Sequence, residues 1–134
     1  MNKIKKFKVK SFLKNSGKII AMSFDKKFPI KVKRSFFLYD KKGKIRGDHA
    51  HKKCSQFFYP VLGNFELKIQ THKNSKKIFL KDILEKGLLV PPKNWVSVKF
   101  LTKNSALMVL CDEYYSAKDY IYNFNEYKEI LRKK

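Results

Sequence analysis

The run Arg46-Gly47-Asp48-His49-Ala50-His51-Lys52-Lys53, followed by Gln56 and Gly63, decides how this chain is read. Side chains alternate across a β-strand with a period of two, so His49 and His51 fall on one face. Two imidazoles on one inward face are costly to bury without partners, so their convergence points to a site rather than to packing. Arg46 precedes His49 by three residues. A regular strand puts it on the opposite face, unless a bulge re-aims it.

Outward from this stretch the same pattern repeats. Short alternating or β-branched and aromatic runs at 7–12, 18–24, 32–39, 44–51, 56–62, 65–71, 76–80, 88–90, 96–101 and 106–111 predict strands. Gly or Asn offers positive φ for tight turns at Lys41-Lys42-Gly43, Gly63-Asn64, Lys73-Asn74-Ser75 and Lys103-Asn104. This many short strands leave no room for βαβ units, so the expected fold is an all-β sandwich or barrel. The tail differs: Asn125 is placed to cap a short C-terminal helix over 126–134, with Tyr127, Ile130 and Leu131 on one face. No linker, internal repeat or low-complexity tract interrupts the chain, which reads as a single domain over 1–134.

With 134 residues, 43% hydrophobic and 15% aromatic, one real core fits, and intrinsic disorder is excluded. The longest apolar runs, such as Ala106 to Cys111, are far shorter than the ~20 residues of a membrane helix. Met1 to Lys6 leads into no apolar signal core, so a cytoplasmic protein that spans no membrane is expected. Cys54 and Cys111 sit in apolar surroundings and read as buried thiols of a reducing compartment. The net charge of +21 is concentrated in residues 1–53, which hold 18 basic and 3 acidic side chains. Only Arg34, Arg46 and Arg132 are arginines, and scattered lysines are a poor instrument for base recognition, so nucleic acid is not the expected partner. Such a field would still steer a pyrophosphate-bearing ligand toward its cleft.

His49-x-His51, Gln56 and Gly63 together resemble the first motif of the cupin superfamily of small β-barrels. Metal-binding cupins carry two histidines and a glutamate there, with a third histidine from a second motif. Here Gln56 stands at the carboxylate position, and the second-motif region Gly87 to Val96 has no histidine. Two neutral imidazoles and an amide are a poor ligand set, so no metal and no cofactor are expected.

A narrower resemblance spans nearly the whole chain. Val32 to Asp40, Arg46 to Lys53 with Gln56, Gly87 to Trp95, and Tyr114-Tyr115 to Asp119-Tyr120-Ile121 look like the dTDP-4-keto-6-deoxyglucose 3,4-ketoisomerases. The resemblance implies a metal-free jelly-roll cupin that forms a homodimer by exchanging N-terminal strands, here within 1–24. The barrel would then occupy 25–111 and a C-terminal extension 112–134. It also implies a dTDP-linked keto-sugar substrate whose ketone moves from carbon 4 to carbon 3, and an aminotransferase acting next, in the making of 3-amino sugars for bacterial surface glycans.

Imidazole suits that chemistry independently, because a pKa of ~6.5 lets it serve as base and conjugate acid near neutrality. One of His49 and His51 would handle the carbon-bound proton and the other the oxygen, with the assignment open. Lys33, Arg34 and Arg46 are candidates to meet sugar or pyrophosphate, with an exposed edge or a braced barrel mouth as the competing readings. Gln56 joins this set by its place in the motif. Trp95 could stack on the base or cap the barrel, and Tyr39 and Tyr115 are possible phenol donors or packing residues. His72 is expected to be solvated. The chain departs from its relatives at Ser16-Gly17, where arginine often precedes the glycine, at Phe36-Phe37, where they carry tyrosines, and at Tyr122, where arginine is usual. Three rival readings are a keto-sugar epimerase on the same fold, a barrel that binds nucleotide-sugar without turnover, and a basic nucleic-acid binder.

Overall fold

The computed structural model describes residues 3–133. Two five-stranded sheets face each other. The first has the order β1 (Lys5–Lys8), β9 (Lys86–Val90), β6 (Gln56–Leu62), β11 (Ala106–Cys111), β4 (Arg34–Leu38). The second runs β12 (Tyr120–Ile121), β5 (Ile45–His51), β10 (Trp95–Phe100), β7 (Asn64–Gln70), β8 (Ser75–Lys81). All their pairings are antiparallel, and the interleaved orders 4-11-6-9 and 5-10-7-8 are those of a jelly roll. A separate hairpin, β2 (Lys10–Lys14) with β3 (Gly17–Ala21), stands outside both sheets. The helix α1 spans Phe124–Arg132.

Alternation explains the layers. On β10, Val96, Val98 and Phe100 point between the sheets, joining Phe65, Leu67, Leu107 and Val109 in the main core. Trp95, one residue before Val96, points outward, where Ala50 and Ile121 join it beneath Tyr127 of α1. A third cluster covers the outer face of the first sheet. Val9 and Ile30, with Phe28 and Met22 beside them, pack on Phe57, Tyr59 and Leu110. Among the described residues no helix is long and apolar enough to cross a membrane.

The structure differs from the sequence reading in its details. The strand expected over 7–12 breaks at Val9, whose side chain turns into the outer cluster while its N–H reaches the Glu85 carbonyl. The strand expected over 18–24 stops at Ala21. The helix starts two residues early. Asn123, not Asn125, accepts from the Glu126 N–H at 3.0 Å and is the cap, and Lys134 lies outside the described residues. Asn123 is well placed because Trp95 recruits both Phe124 and Tyr127, at 5.2 and 5.4 Å between ring centroids, so packing sets the first turn.

Candidate active site

The site begins with a defect in β5. Val96 pairs with His49 and Ser97 with Gly47, so Asp48 is an extra residue with no partner across the ladder. Gly47 and Asp48 both take positive φ (84° and 61°), a conformation that suits a glycine and that Asp tolerates better than most residues. The bulge turns Asp48 outward, where it accepts from Trp95 Nε1 at 2.8 Å and from Ser97 Oγ at 3.1 Å. It also brings Arg46 opposite Val98, onto the inward face that His49 occupies opposite Val96. Arg46 therefore lines the same cavity as His49, Gln56, Phe36 and Phe58, a space of about 170 Å³ between the sheets. Its guanidinium is steadied by Asp40 at 3.1 Å.

His51 is 4% exposed, and its Nδ1 meets Asp119 Oδ2 at 2.8 Å. Burial lowers the imidazole pKa, and the Asp119 carboxylate only partly opposes it. Burial works to raise Asp119, but hydrogen bonds from His51, Lys53 and Cys54 outweigh it and hold the carboxyl below its ordinary value. At neutral pH the pair is a neutral imidazole beside a carboxylate. Asp119 then accepts a hydrogen bond from Nδ1–H and leaves Nε2 with its lone pair, buried and without a partner among the described residues. That is the form a general base requires.

His49 is set differently. Burial first, and then the neighbouring His51, lower its pKa to about 4, so it is neutral over the physiological range. The two rings meet edge to face at 5.2 Å. Tyr120 lies opposite His51 on β12, with its ring 4.3 Å from His51 and 5.1 Å from His49. Its hydroxyl is 3.5 Å from both terminal nitrogens of Arg34. Arg34 thus joins the edge of one sheet to the edge of the other, and its Nε is buried without a partner among the described residues. Its other neighbour is Cys111 Sγ, 3.5 Å from Nη2 and 3.9 Å from Gln56 Nε2.

The remaining candidates separate by position. Lys33 is exposed and lies 5.5 Å from the centre of the Tyr114 ring at the rim. Trp95 is 3% exposed and sealed under α1 on the far side of the sheet, away from the cavity. Tyr39 is 66% exposed and stacked on Phe37, outside the cavity. Tyr115 is also exposed, with Arg34 5.6 Å from its ring, and His72 is exposed. Sequence reasoning assigned no part to Asp119 or Tyr120, though both stand in the quoted Asp119-Tyr120-Ile121 segment. Sixty-eight positions separate Asp119 from His51, and no periodicity links them.

One group of potential metal donors comes together among the described residues. His51, Cys54 and Asp119 offer three ligand atoms within 4.8 Å of one another. Both Asp119 oxygens, however, already accept N–H groups of His51, Lys53 and Cys54. Cys54 donates to the Ser55 carbonyl, and its contact with Cys111 together with burial pushes its thiol far up, which raises the cost of ionising it as a ligand. These groups do not fit a cation.

A jelly-roll barrel with two neighbouring histidines facing its interior defines the class of fold and site. Residues 2–132 match the family described as FdtA: WxcM-like, C-terminal, and the chain belongs to it. It is 30% identical over 133 residues, 98% of this chain and 94% of the relative, to a TDP-4-oxo-6-deoxy-alpha-D-glucose-3,4-oxoisomerase of Aneurinibacillus thermoaerophilus. Among solved structures, it superposes with a TM-score of 0.90 on a mutant of the 3,4-ketoisomerase QdtA from Thermoanaerobacterium thermosaccharolyticum in complex with TDP-4-keto-6-deoxyglucose. That match has 26% identity and covers 98% of this chain and 95% of that one. WlaRA, a TDP-fucose-3,4-ketoisomerase from Campylobacter jejuni, gives 0.85 at 30% identity, covering 97% and 96%.

Proposed function

We propose that this protein is a sugar-nucleotide 3,4-ketoisomerase that converts dTDP-4-keto-6-deoxyglucose to a dTDP-3-keto-6-deoxyhexose. The observation that carries the reading is the His51–Asp119 pair, which leaves a neutral, buried imidazole nitrogen beside a second neutral imidazole inside the barrel. The family match and the activities named for its relatives agree with it.

His51 Nε2 removes the proton from carbon 3 while the carbonyl oxygen at carbon 4 gains one, giving an enediol. The hydroxyl at carbon 3 then gives up its proton to become the ketone, and carbon 4 receives a proton. Neutral His49 is suited to hydrogen-bond the oxygen that changes charge, because an imidazole held neutral donates without competing as a base. Arg34, with an unpartnered buried Nε, offers a second donor to that oxygen or to the sugar hydroxyls. Gln56 and Arg46 complete the polar lining, and Arg46 suits the pyrophosphate.

The protein acts in the cytoplasm as a homodimer. Its product carries a new ketone at carbon 3, which an aminotransferase consumes to make a 3-amino sugar of a surface glycan. Support for the dimer comes from the detached β2–β3 hairpin, which exposes Phe12, Leu13 and Ile19.

The deciding experiment is incubation with dTDP-4-keto-6-deoxyglucose followed by NMR of the sugar ring. A carbonyl moved to carbon 3 supports the reading; an unmoved ketone with inverted ring carbons would replace it with epimerisation. His51→Asn should lower turnover by roughly two to four decades with little change in nucleotide binding. In heavy water the wild type should place deuterium at carbon 4 of the product, unless one sheltered imidazole carries the same proton across. Near wild-type rates from both His49→Asn and His51→Asn would sink the assignment.

A further inference from the structure

Cys54 and Cys111 are far apart in sequence and share no motif, yet the fold sets them together beside Gln56, which lines the cavity. Cys111 ends β11, and its last ladder partner is Gln56. Ser55 and Asp112 continue that pairing, by Ser55 N–H to Asp112 Oδ1 at 2.8 Å and Asp112 N–H to the Ser55 carbonyl at 3.3 Å. Cys54 therefore lies diagonally across from Cys111, just outside the regular ladder, where a small backbone shift breaks no strand pairing. Both thiols are buried in the main core, at 2% and 0% exposure. Burial of both sulfurs favours a link within one chain over one between chains.

From this juxtaposition we infer that Cys54 and Cys111 form an oxidative modification site, closing to a disulfide with a peroxide and thereby disturbing the His51 and Arg34 ends of the active site.

The surroundings differ for the two sulfurs in the way such a pair needs. Cys111 receives Arg34 Nη2 and Gln56 Nε2, and the neighbouring Cys54 thiol, with help from these donors, brings it down to about 7 against the effect of burial. Cys54 is pushed up by the same contact. Cys111 is thus the nucleophile and Cys54 the resolving thiol. Its sulfur attacks one peroxide oxygen, the O–O bond breaks, and the departing hydroxide takes a proton to leave as water. The Cys54 sulfur then attacks the resulting sulfenic sulfur, the S–O bond breaks, and a second water carries off the Cys54 proton. Two thiols are oxidised by two electrons and one peroxide is reduced to two waters. Hydrogen peroxide is small enough to enter by way of Gln56, which lines the cavity and touches Cys111.

The link to the site is direct. The Cys54 backbone N–H donates to the same Asp119 oxygen that orients His51, and Cys111 Sγ, with the Tyr120 hydroxyl, accepts from Arg34. Drawing the sulfurs to bonding distance moves both anchors. The crosslink itself is independent of the reaction; only its effect on turnover rests on the ketoisomerase reading.

The test treats wild type, Cys54→Ala and Cys54→Ser with hydrogen peroxide and maps peptides without reduction. The expected product links the Cys54 and Cys111 peptides with loss of two hydrogens. Turnover should fall at least about tenfold and return with dithiothreitol, and imidazole NMR should show His51 shifting reversibly. Neither Cys54 variant should lose activity reversibly, and the two together cover the case in which one does not fold. Free thiols in wild type under conditions that oxidise an exposed control thiol would overturn the inference. So would sulfinic acid at Cys111 without a crosslink. A crosslink that leaves the His51 resonances unmoved overturns the coupling to the site, whatever reaction the site performs.

Discussion

At the scale of single residues the site is a matter of which proton is held where. In the proposed reaction Asp119 is a positioning residue, because it holds His51 Nδ1 and does not line the cavity that His49 and Gln56 share. Asp119→Asn should keep the fold but let the amide select the other imidazole tautomer. We expect kcat to fall by roughly two to three decades with KM changed much less, and the acid limb of the pH profile to move, which a purely structural role would not cause. His49 makes a prediction of a different kind. Its folded pKa is about 4 against 6.5 for the model group, so between these values the unfolded chain binds the extra proton. Stability from this group is therefore complete above pH 6.5 and falls as pH drops toward 4, by about 1–3 kcal/mol after allowance for partial exposure. Replacing His49 by Gln should flatten that stretch of the stability curve in urea titrations at stepped pH. An unchanged slope would mean that His49 is not the buried neutral group described here.

Elements carry the next level of causation, and the bulge of β5 is the instructive one. A regular strand would aim Arg46 away from the histidines, as its spacing from His49 says. The extra residue Asp48, anchored to Trp95 and Ser97, reverses this. Gly47 takes φ 84°, and a Cβ there would lie 3.1 Å from the Val96 carbonyl oxygen. Gly47→Ala should therefore cost about 1–2 kcal/mol in thermal or urea unfolding. It should also weaken binding of the nucleotide more than it slows chemistry, because Arg46 loses its aim while His51 is held independently by Asp119. Equal loss in both would show that the bulge also positions the histidines. Sequence made the positions of the central strands legible, since each buries one face and alternates cleanly. It missed β12 because two residues carry no periodicity, and it placed the helix cap at Asn125 because two asparagines stood near one short amphipathic run. Only the contacts of Phe124 and Tyr127 with Trp95 choose between them.

For the whole molecule, the detached hairpin is the least satisfied part. Phe12 is 56% exposed, Leu13 82% and Ile19 63%, on a two-stranded sheet that belongs to neither face of the barrel. Isolated hairpins are marginal in water, and a second copy would cover these side chains. Sedimentation should give a dimer at micromolar concentration, and Leu13→Lys combined with Ile19→Lys should shift it toward monomer with a lower Tm. A monomeric wild type would remove the argument for strand exchange.

By itself the sequence determined the all-β class, the shared face of His49 and His51 and the short terminal helix, because periods of two and 3.6 are local properties of the chain. The near-complete resemblance supplied the chemistry to expect. Only the tertiary structure decided that Asp119 orients His51, that Tyr120 meets Arg34, that Trp95 is sealed from the cavity, and that Cys54 faces Cys111. Each of these depends on which strands the jelly roll places side by side. Pairing between residues some 57 to 86 positions apart leaves no periodic trace in the chain.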